Sequence, residues 1–277
     1  MKLKIFVPFI VLFSVNTSSA QNLKSQFDLA NNLFKENHFF DAITEYKRLI
    51  FFDSAKYYLA DAYYKIGECY KAGTKFDDAI KYFSLAEINS IDVQKIFDCK
   101  IQIIRNNILR RTTDRALQLC EKTFNDERFN IKRDTVNYWR GWAYIFADDF
   151  ESAALHFAKI NHNHELKILC EQTDNAKLSV TFAKVISYIL PGSGSIYSGN
   201  FFSGLLSLTW NVFAGYLTIN SFLQNRIFDG FVSGELLWLR FYRGSIQNAE
   251  KFTIEKNLDI SNKALRYLQN EYKGIKP

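Results

Sequence analysis

Proline is almost missing from this chain. Of 277 residues only Pro8, Pro191 and Pro277 are proline. A proline inside a helix removes a hydrogen bond and clashes with the preceding turn, so its scarcity lets long helices run on either side of Pro191. Glycine is scarce and uneven: eight of the twelve lie between Gly192 and Gly244, which marks a change of character near residue 190. No dense run of one charge is present. The 35 Lys and Arg are interspersed among 29 Asp and Glu, for a net charge of +6. That describes a mixed, solvated surface. The aromatics fall at packing positions rather than among basic clusters, so no nucleic-acid partner is expected. The four cysteines show no CxxC or CxxH spacing, which speaks against a zinc site. Disulfides are open to an exported chain, but helical packing positions favour buried thiols. GxSxG, HExxH and Cys/His nucleophile arrangements are all missing. His156, His162 and His164 are close in sequence without a further ligand set, and they read as a solvated turn between helices. The expectation is therefore no enzyme, no cofactor, no metal and no small-molecule substrate.

What is present begins with an address. Lys2 and Lys4 precede an apolar stretch over residues 5–15, and Ser18-Ser19-Ala20 follows. This is the layout of a secretory signal peptide over residues 1–20, cut before Gln21. The apolar stretch is short for a membrane span of about 20 residues. No cysteine stands at the cut, which argues against lipid attachment there. At 48% hydrophobic residues, the chain beyond is expected to fold rather than stay disordered.

A repeat of 37 residues follows. Ala42, Ala79, Ala116 and Ala153 are spaced at that interval. Twelve residues before each stand Ala30, Gly67, Ile104 and Gly141; three before stand Phe39, Phe76, Thr113 and Phe150; four after stand Tyr46, Phe83, Cys120 and Phe157. Small residues let two antiparallel helices approach, and aromatics at helical spacing fill the space beside them. One such pair cannot bury its apolar face alone, so several must stack. The third unit keeps the register but lacks the first small residue and the aromatics.

The segments LANNLFKENHFFDAITEY, IGECYKAGTKFDDAIKYF and RGWAYIFADDFESAALHF resemble tetratricopeptide repeats, over roughly residues 22–161. Offsets within each unit fit the family's usual 34-residue period, which puts the three extra residues between one unit's second helix and the next unit's first. The resemblance implies a concave groove lined by the first helix of each pair, where an extended peptide or partner helix binds. Carried over by register, the groove candidates are Phe27, Asn31 and Phe34; Asp61, Tyr64, Glu68 and Lys71; Ile101, Arg105 and Ile108; and Tyr138, Trp142 and Ile145. Aromatics with a few charges suit a peptide-binding face.

The last third reads differently. Residues 185–225 contain no Asp, Glu, Lys or Arg, and residues 201–223 are mainly apolar. As a helix that stretch is about 34 Å long, enough for a hydrocarbon core of about 30 Å. A second apolar stretch over residues 227–242 carries Asp229, Glu235 and Arg240, with Gly230 and Gly234 at GxxxG spacing, a pattern that permits close helix contact. Ser203, Ser207, Asn211 and Gly215 form a small, polar stripe that is a candidate to meet those glycines. Glu235 is then either functional, as ionisable groups in membranes often are, or a structural partner for Asn211. Before this hairpin stands PGSGSIYSG, with Pro191, Gly192, Gly194, Tyr197 and Gly199. It resembles the PGxGxxYxG turn of small bacterial membrane domains, over about residues 183–250. No GK[ST] follows, so it is not a phosphate loop. Tyr197 is expected as an interfacial anchor.

The fold class expected is all-α: a TPR-like solenoid of helical hairpins, a transmembrane helical hairpin and a C-terminal helix. The divisions are a signal peptide (1–20), four repeats (21–161), connecting helices (162–190), the membrane hairpin (191–243) and a helical tail (244–277). The expected function is a membrane-anchored scaffold of the bacterial cell envelope, with its repeats in the periplasm at the inner membrane. A protein or peptide would lie in the groove and lipid would surround the hairpin. The alternative makes the hairpin the working part, assisting insertion, transport or assembly of membrane components while the repeats dock or regulate.

Overall fold

The computed structural model describes residues 22–277, and the proposed signal peptide lies outside them. The described residues are helical and contain no strand. The chain divides into two compact units, the first ending at Asn130 and the second running from Ile131 to Pro277.

In the first unit α1 (Leu23–Lys35) packs on α2 (Phe39–Phe52), α3 (Leu59–Ala72) on α4 (Phe76–Ile88), and α5 (Val93–Leu109) on α6 (Thr113–Phe124). α2 also packs on α3 and α4 on α5, so the hairpins stack in series. The core is the repeat pattern itself. Ala42, Ala79 and Ala116 are fully buried, as are Ala30, Ile66, Tyr46 and Phe83. A Cβ placed on Gly67 would lie 2.9 Å from the Phe83 ring, so glycine there is what lets the second helix seat its aromatic. In the third hairpin the sizes are exchanged: Ile104 stands at the small position and Cys120 at the aromatic one, both fully buried. The pair fills its layer from the opposite helix, a volume-conserving change that cores tolerate.

The backbone repeats with the same period. Asn37, Thr74 and Arg111 all have positive φ, and Asp148 in the second unit does too. At each, the first helix closes with the same two bonds. In the first hairpin His38 N donates to the Leu33 carbonyl and Asn37 N to that of Phe34. The equivalent donors Lys75, Thr112 and Asp149 reach Tyr70, Asn107 and Tyr144. This is the Schellman closure, which takes up carbonyls the helix end leaves unpaired. The residues added between hairpins are held in place as well: the buried Asp53 carboxylate accepts the amides of Tyr57 (3.0 Å) and Tyr58 (2.6 Å).

The second unit opens with the fourth hairpin, α7 (Arg133–Phe146) on α8 (Phe150–Ala158), followed by α9 (Glu165–Ala176) packed on α8. Gly141 faces Phe157 as Gly67 faces Phe83, with a built Cβ only 2.6 Å from the ring. Next come α10 (Val180–Ile189), the one-turn α11 (Ser193–Tyr197), the long α12 (Phe201–Leu223) and α13 (Ile227–Val232). A π turn, Ser233–Trp238, leads into α14 (Leu239–Asn270). α14 continues through the expected boundary at residue 243 and packs on α10, α11, α12 and α9. With no proline to stop it, it extends for about 48 Å. The fourth hairpin thus shares a compact unit with the helices that follow it.

Candidate functional site

On the first unit the groove candidates of α3 and α5 lie side by side, linked by side chains. Lys95 pairs with Asp61, and Gln102 donates its amide to the Tyr64 hydroxyl at 3.3 Å. Tyr64 stands edge-on to Phe83, 5.2 Å between centroids; burial pushes its hydroxyl up to about 12. Glu68 accepts from Lys65 at 2.7 Å. Lys71 is half-buried close to Arg105. Burial first, then the Arg105 charge, bring the ammonium of Lys71 down to about 8, against a partly opposing Glu68. Gln102 Oε1 is buried and meets no donor among the described residues. The face therefore offers an aromatic, two neighbouring cations, an acid and an unsatisfied acceptor.

In the first hairpin Phe27 packs against Tyr46 and Tyr58, and Asn31 accepts the Tyr46 hydroxyl at 2.7 Å. Phe34 carries the Lys65 ammonium 5.1 Å above its ring. These residues are half-buried and already engaged.

Three groove candidates are core instead: Ile101 (8% exposed), Ile108 (0%) and Ile145 (2%) are interior side chains, and Trp142 (2%) is buried as well. On a first helix, positions adjoining the groove stripe also face the stacked neighbour, and apolar side chains there are buried by it. Trp142 has a further cover, the ring of Tyr272 at 6.1 Å, and its Nε1–H meets no acceptor among the described residues. Tyr138 is half-buried and lies 3.1 Å, hydroxyl to hydroxyl, from the same Tyr272.

The expected solvated turn lies between α8 and α9, with residues 161–163 exposed, but one of the three histidines stands outside it. His156 is buried in α8, stacked on Tyr144 and 3.4 Å from Asn137. His164 caps α9, its Nδ1 accepting the Leu166 amide at 3.1 Å, and burial holds its pKa low. His162 is exposed. Among the described residues no group of three His, Cys, Asp or Glu is arranged to hold a metal ion. All four cysteines are buried, and burial pushes the thiols of Cys69, Cys99 and Cys170 up to about 12. High thiol pKa values and burial make them unreactive.

The PGSGSIYSG turn is a packing hub. Gly192 has φ +96°, and a Cβ there would meet the Gly204 carbonyl at 2.1 Å. A Cβ on Gly194 would strike the Ala183 carbonyl, Ser187 and Ala249. The amides of Gly192 and Gly194 donate to the hydroxyls of Ser245 (2.7 Å) and Ser187 (3.0 Å), on α14 and α10. Gly199, at φ +90°, ends α11 before α12, and Pro191 is half-buried at the entrance. Tyr197 is half-buried: its hydroxyl accepts the Ser179 amide and its ring stands edge-on to Phe182 at 5.1 Å. It ties α11 to the start of α10.

α12 packs on α13, the π turn and the start of α14. The expected glycine contacts shift in register: Gly230 lies against Phe222 and Gly234 against Thr218, while Gly215 faces Trp238. Asn211 is 4% exposed, gives its amide to the Ser207 carbonyl at 2.8 Å, and leaves Oδ1 without a partner among the described residues. Glu235 is exposed rather than paired with it. Glu235 instead borders an open cleft of about 580 Å³ with Ser207, Trp210, Arg240 and Arg243. Phe201–Leu223 is the one helix among the described residues long and apolar enough to cross a membrane. Its outer face is bare: Phe202, Val212, Phe213, Tyr216 and Ile219 are exposed, as are Phe228, Phe231 and Leu236 on the returning arm.

Comparison with known proteins agrees with the repeat geometry. Residues 61–85, covering most of α3 and α4, match the family model described as tetratricopeptide repeat. Repeats of that kind generally mediate protein–protein interaction or scaffolding. No curated protein and no solved structure matches the chain.

Proposed function

We propose that this protein is a non-enzymatic, membrane-anchored scaffold of the cell envelope. In this reading the first helices of its repeats hold a protein or peptide partner, and the hairpin begun by α12 fixes it to the membrane. The observation that carries the binding half is the linked α3–α5 face, where Tyr64, Gln102, Lys71 and Arg105 stand together. Two half-buried cations beside an aromatic and an unsatisfied acceptor suit an extended peptide bearing a carboxylate. Its backbone N–H would satisfy Gln102, and its charge would relieve the repulsion between Lys71 and Arg105. The anchoring half rests on the apolar outer face of α12 and its returning arm. Exposed patches of that extent call for lipid or protein cover.

The test has two arms. Wild type should stay in the membrane fraction through alkaline carbonate extraction, and Val212→Glu with Ile219→Lys should release it. Lys71→Ala with Arg105→Ala should lose the partner captured by crosslinking without lowering the melting temperature. Extraction of wild type by carbonate would remove the anchor. Equal capture by wild type and the folded double variant would remove the α3–α5 site.

The cleft bordered by Glu235, Arg240 and Arg243 favours a second reading, in which the hairpin handles a polar group of a membrane component. Loss of function on Glu235→Gln, with capture at the repeats intact, would select it.

A further inference from the structure

We propose that the Tyr138–Trp142 face of α7 is a peptide-binding subsite, and that residues 272–275 of this same chain are its resident, displaceable ligand. The occupant is seen in place. Tyr272 follows α14, is buried, and lies over Trp142 with its hydroxyl 3.1 Å from that of Tyr138. Tyr138 donates to the Ile275 carbonyl, a backbone contact of the kind that holds an extended peptide. Gly274 folds the segment back closely on its own Tyr272: a Cβ there would lie 2.1 Å from the Tyr272 hydroxyl. The Ile275 side chain, 67% exposed, borders a cleft of about 390 Å³ with Asp134, Thr135 and Trp139.

The fit is incomplete in a way that points to exchange. Trp142, whose ring meets that of Tyr272, keeps its Nε1–H buried without an acceptor among the described residues, and a buried donor left unpaired is costly. Ile275 gains little cover where it sits. A segment of the same pattern, Tyr-x-Gly followed by an aliphatic residue, that also brought a carbonyl to Trp142 would bind better per contact. The resident wins only by being tethered, at an effective concentration on the order of millimolar. The site thus recognises an aromatic-x-glycine-aliphatic segment, and the chain's own copy keeps it closed until such a partner arrives.

This deepens the peptide-binding reading and rests on it. The probe is a fluorescent peptide of residues 268–277, LQNEYKGIKP, titrated into the full chain. Gly274→Ala should unseat the resident, and the probe should then bind this variant at least tenfold more tightly than wild type. A probe carrying the same Gly-to-Ala change should bind neither. Equal binding of the probe to wild type and folded Gly274→Ala would overturn the proposal, as would equal binding of the two probes. If Gly274→Ala does not fold, Tyr138→Phe takes its place. Amides 271–276 should then exchange at least tenfold faster while those of α8 are unchanged, and unaltered exchange at 271–276 would overturn the proposal. The probe reads α7 alone, so its failure leaves the α3–α5 face standing. Loss of the α3–α5 site would in turn show in partner capture by Lys71→Ala with Arg105→Ala, with probe binding intact.

Discussion

Gly67 and Phe83 are in contact to the limit of what glycine allows: the ring lies 2.9 Å from where a Cβ would stand. Gly67→Ala must therefore move a fully buried phenylalanine, at a cost of about 1–3 kcal/mol. Gly141→Ala, at 2.6 Å from Phe157, should cost more. Phe83→Leu added to Gly67→Ala should recover part of the loss, because the third hairpin already carries its bulk on the first helix. Chemical denaturation of Gly67→Ala, Gly141→Ala, Phe83→Leu and the Gly67→Ala/Phe83→Leu double variant checks this; additive losses in the double variant would contradict it.

Thr74 is the strained member of the αL series. It has φ 57°, where a β-branched side chain is a genuine outlier. Asn37 fills the same place in the first hairpin with a residue that tolerates it. Thr74→Asn should therefore stabilise the protein by about 1 kcal/mol, read as a higher denaturation midpoint with an unchanged slope.

Lys71 gives the proposed binding face a pH dependence. Its pKa in the fold is lowered to about 8, so it is charged at pH 7 and loses its charge as pH rises through that value. Affinity for an anionic partner should fall about tenfold from pH 7 to pH 9 if only the charged form binds. The stability term has the opposite sense. The unfolded state holds the Lys71 proton more tightly, so stability rises with pH above about 8. Lys71→Met should raise the unfolding free energy at pH 7 by on the order of 1 kcal/mol and weaken partner capture.

Gly192 and Gly194 should be the least replaceable residues of the second unit. Gly192→Ala combines positive φ with a carbonyl 2.1 Å away, and a loss on the order of 3 kcal/mol or more is expected. Limited proteolysis in detergent should show α10, α12 and α14 becoming accessible together, since this turn joins all three.

The repeat was legible because its physics is local. A small residue and an aromatic must face each other across a hairpin, so their spacing is fixed by the turn between them, and even the size-exchanged third unit keeps the register. The αL positions share that period, but Thr74 and Arg111 carry no residue signal for positive φ. What escaped the sequence depends on distant partners. Trp142 reads as open groove until Tyr272 is placed against it, and nothing in residues 191–199 announces that the Tyr197 hydroxyl takes the Ser179 amide. Glycine spacing announced a close helix pair in the hairpin, but register across two helices is set by large neighbours such as Phe222 and Trp238, which GxxxG does not encode. The continuity of α14 through Gly244 was likewise invisible, because one glycine lowers helix propensity without ending a helix held by neighbours on both sides of it.

The central claim is that a partner lies on the α3–α5 face of a membrane-held protein. A photoreactive residue at Glu68, on that face, compared with one at the exposed Lys81 of α4, tests it in cells. The account predicts a discrete protein adduct in the membrane fraction from position 68 alone, lost when Lys71 and Arg105 become alanine. Adducts of equal yield from both positions, or an adduct from 68 that survives those substitutions in the folded protein, would contradict it.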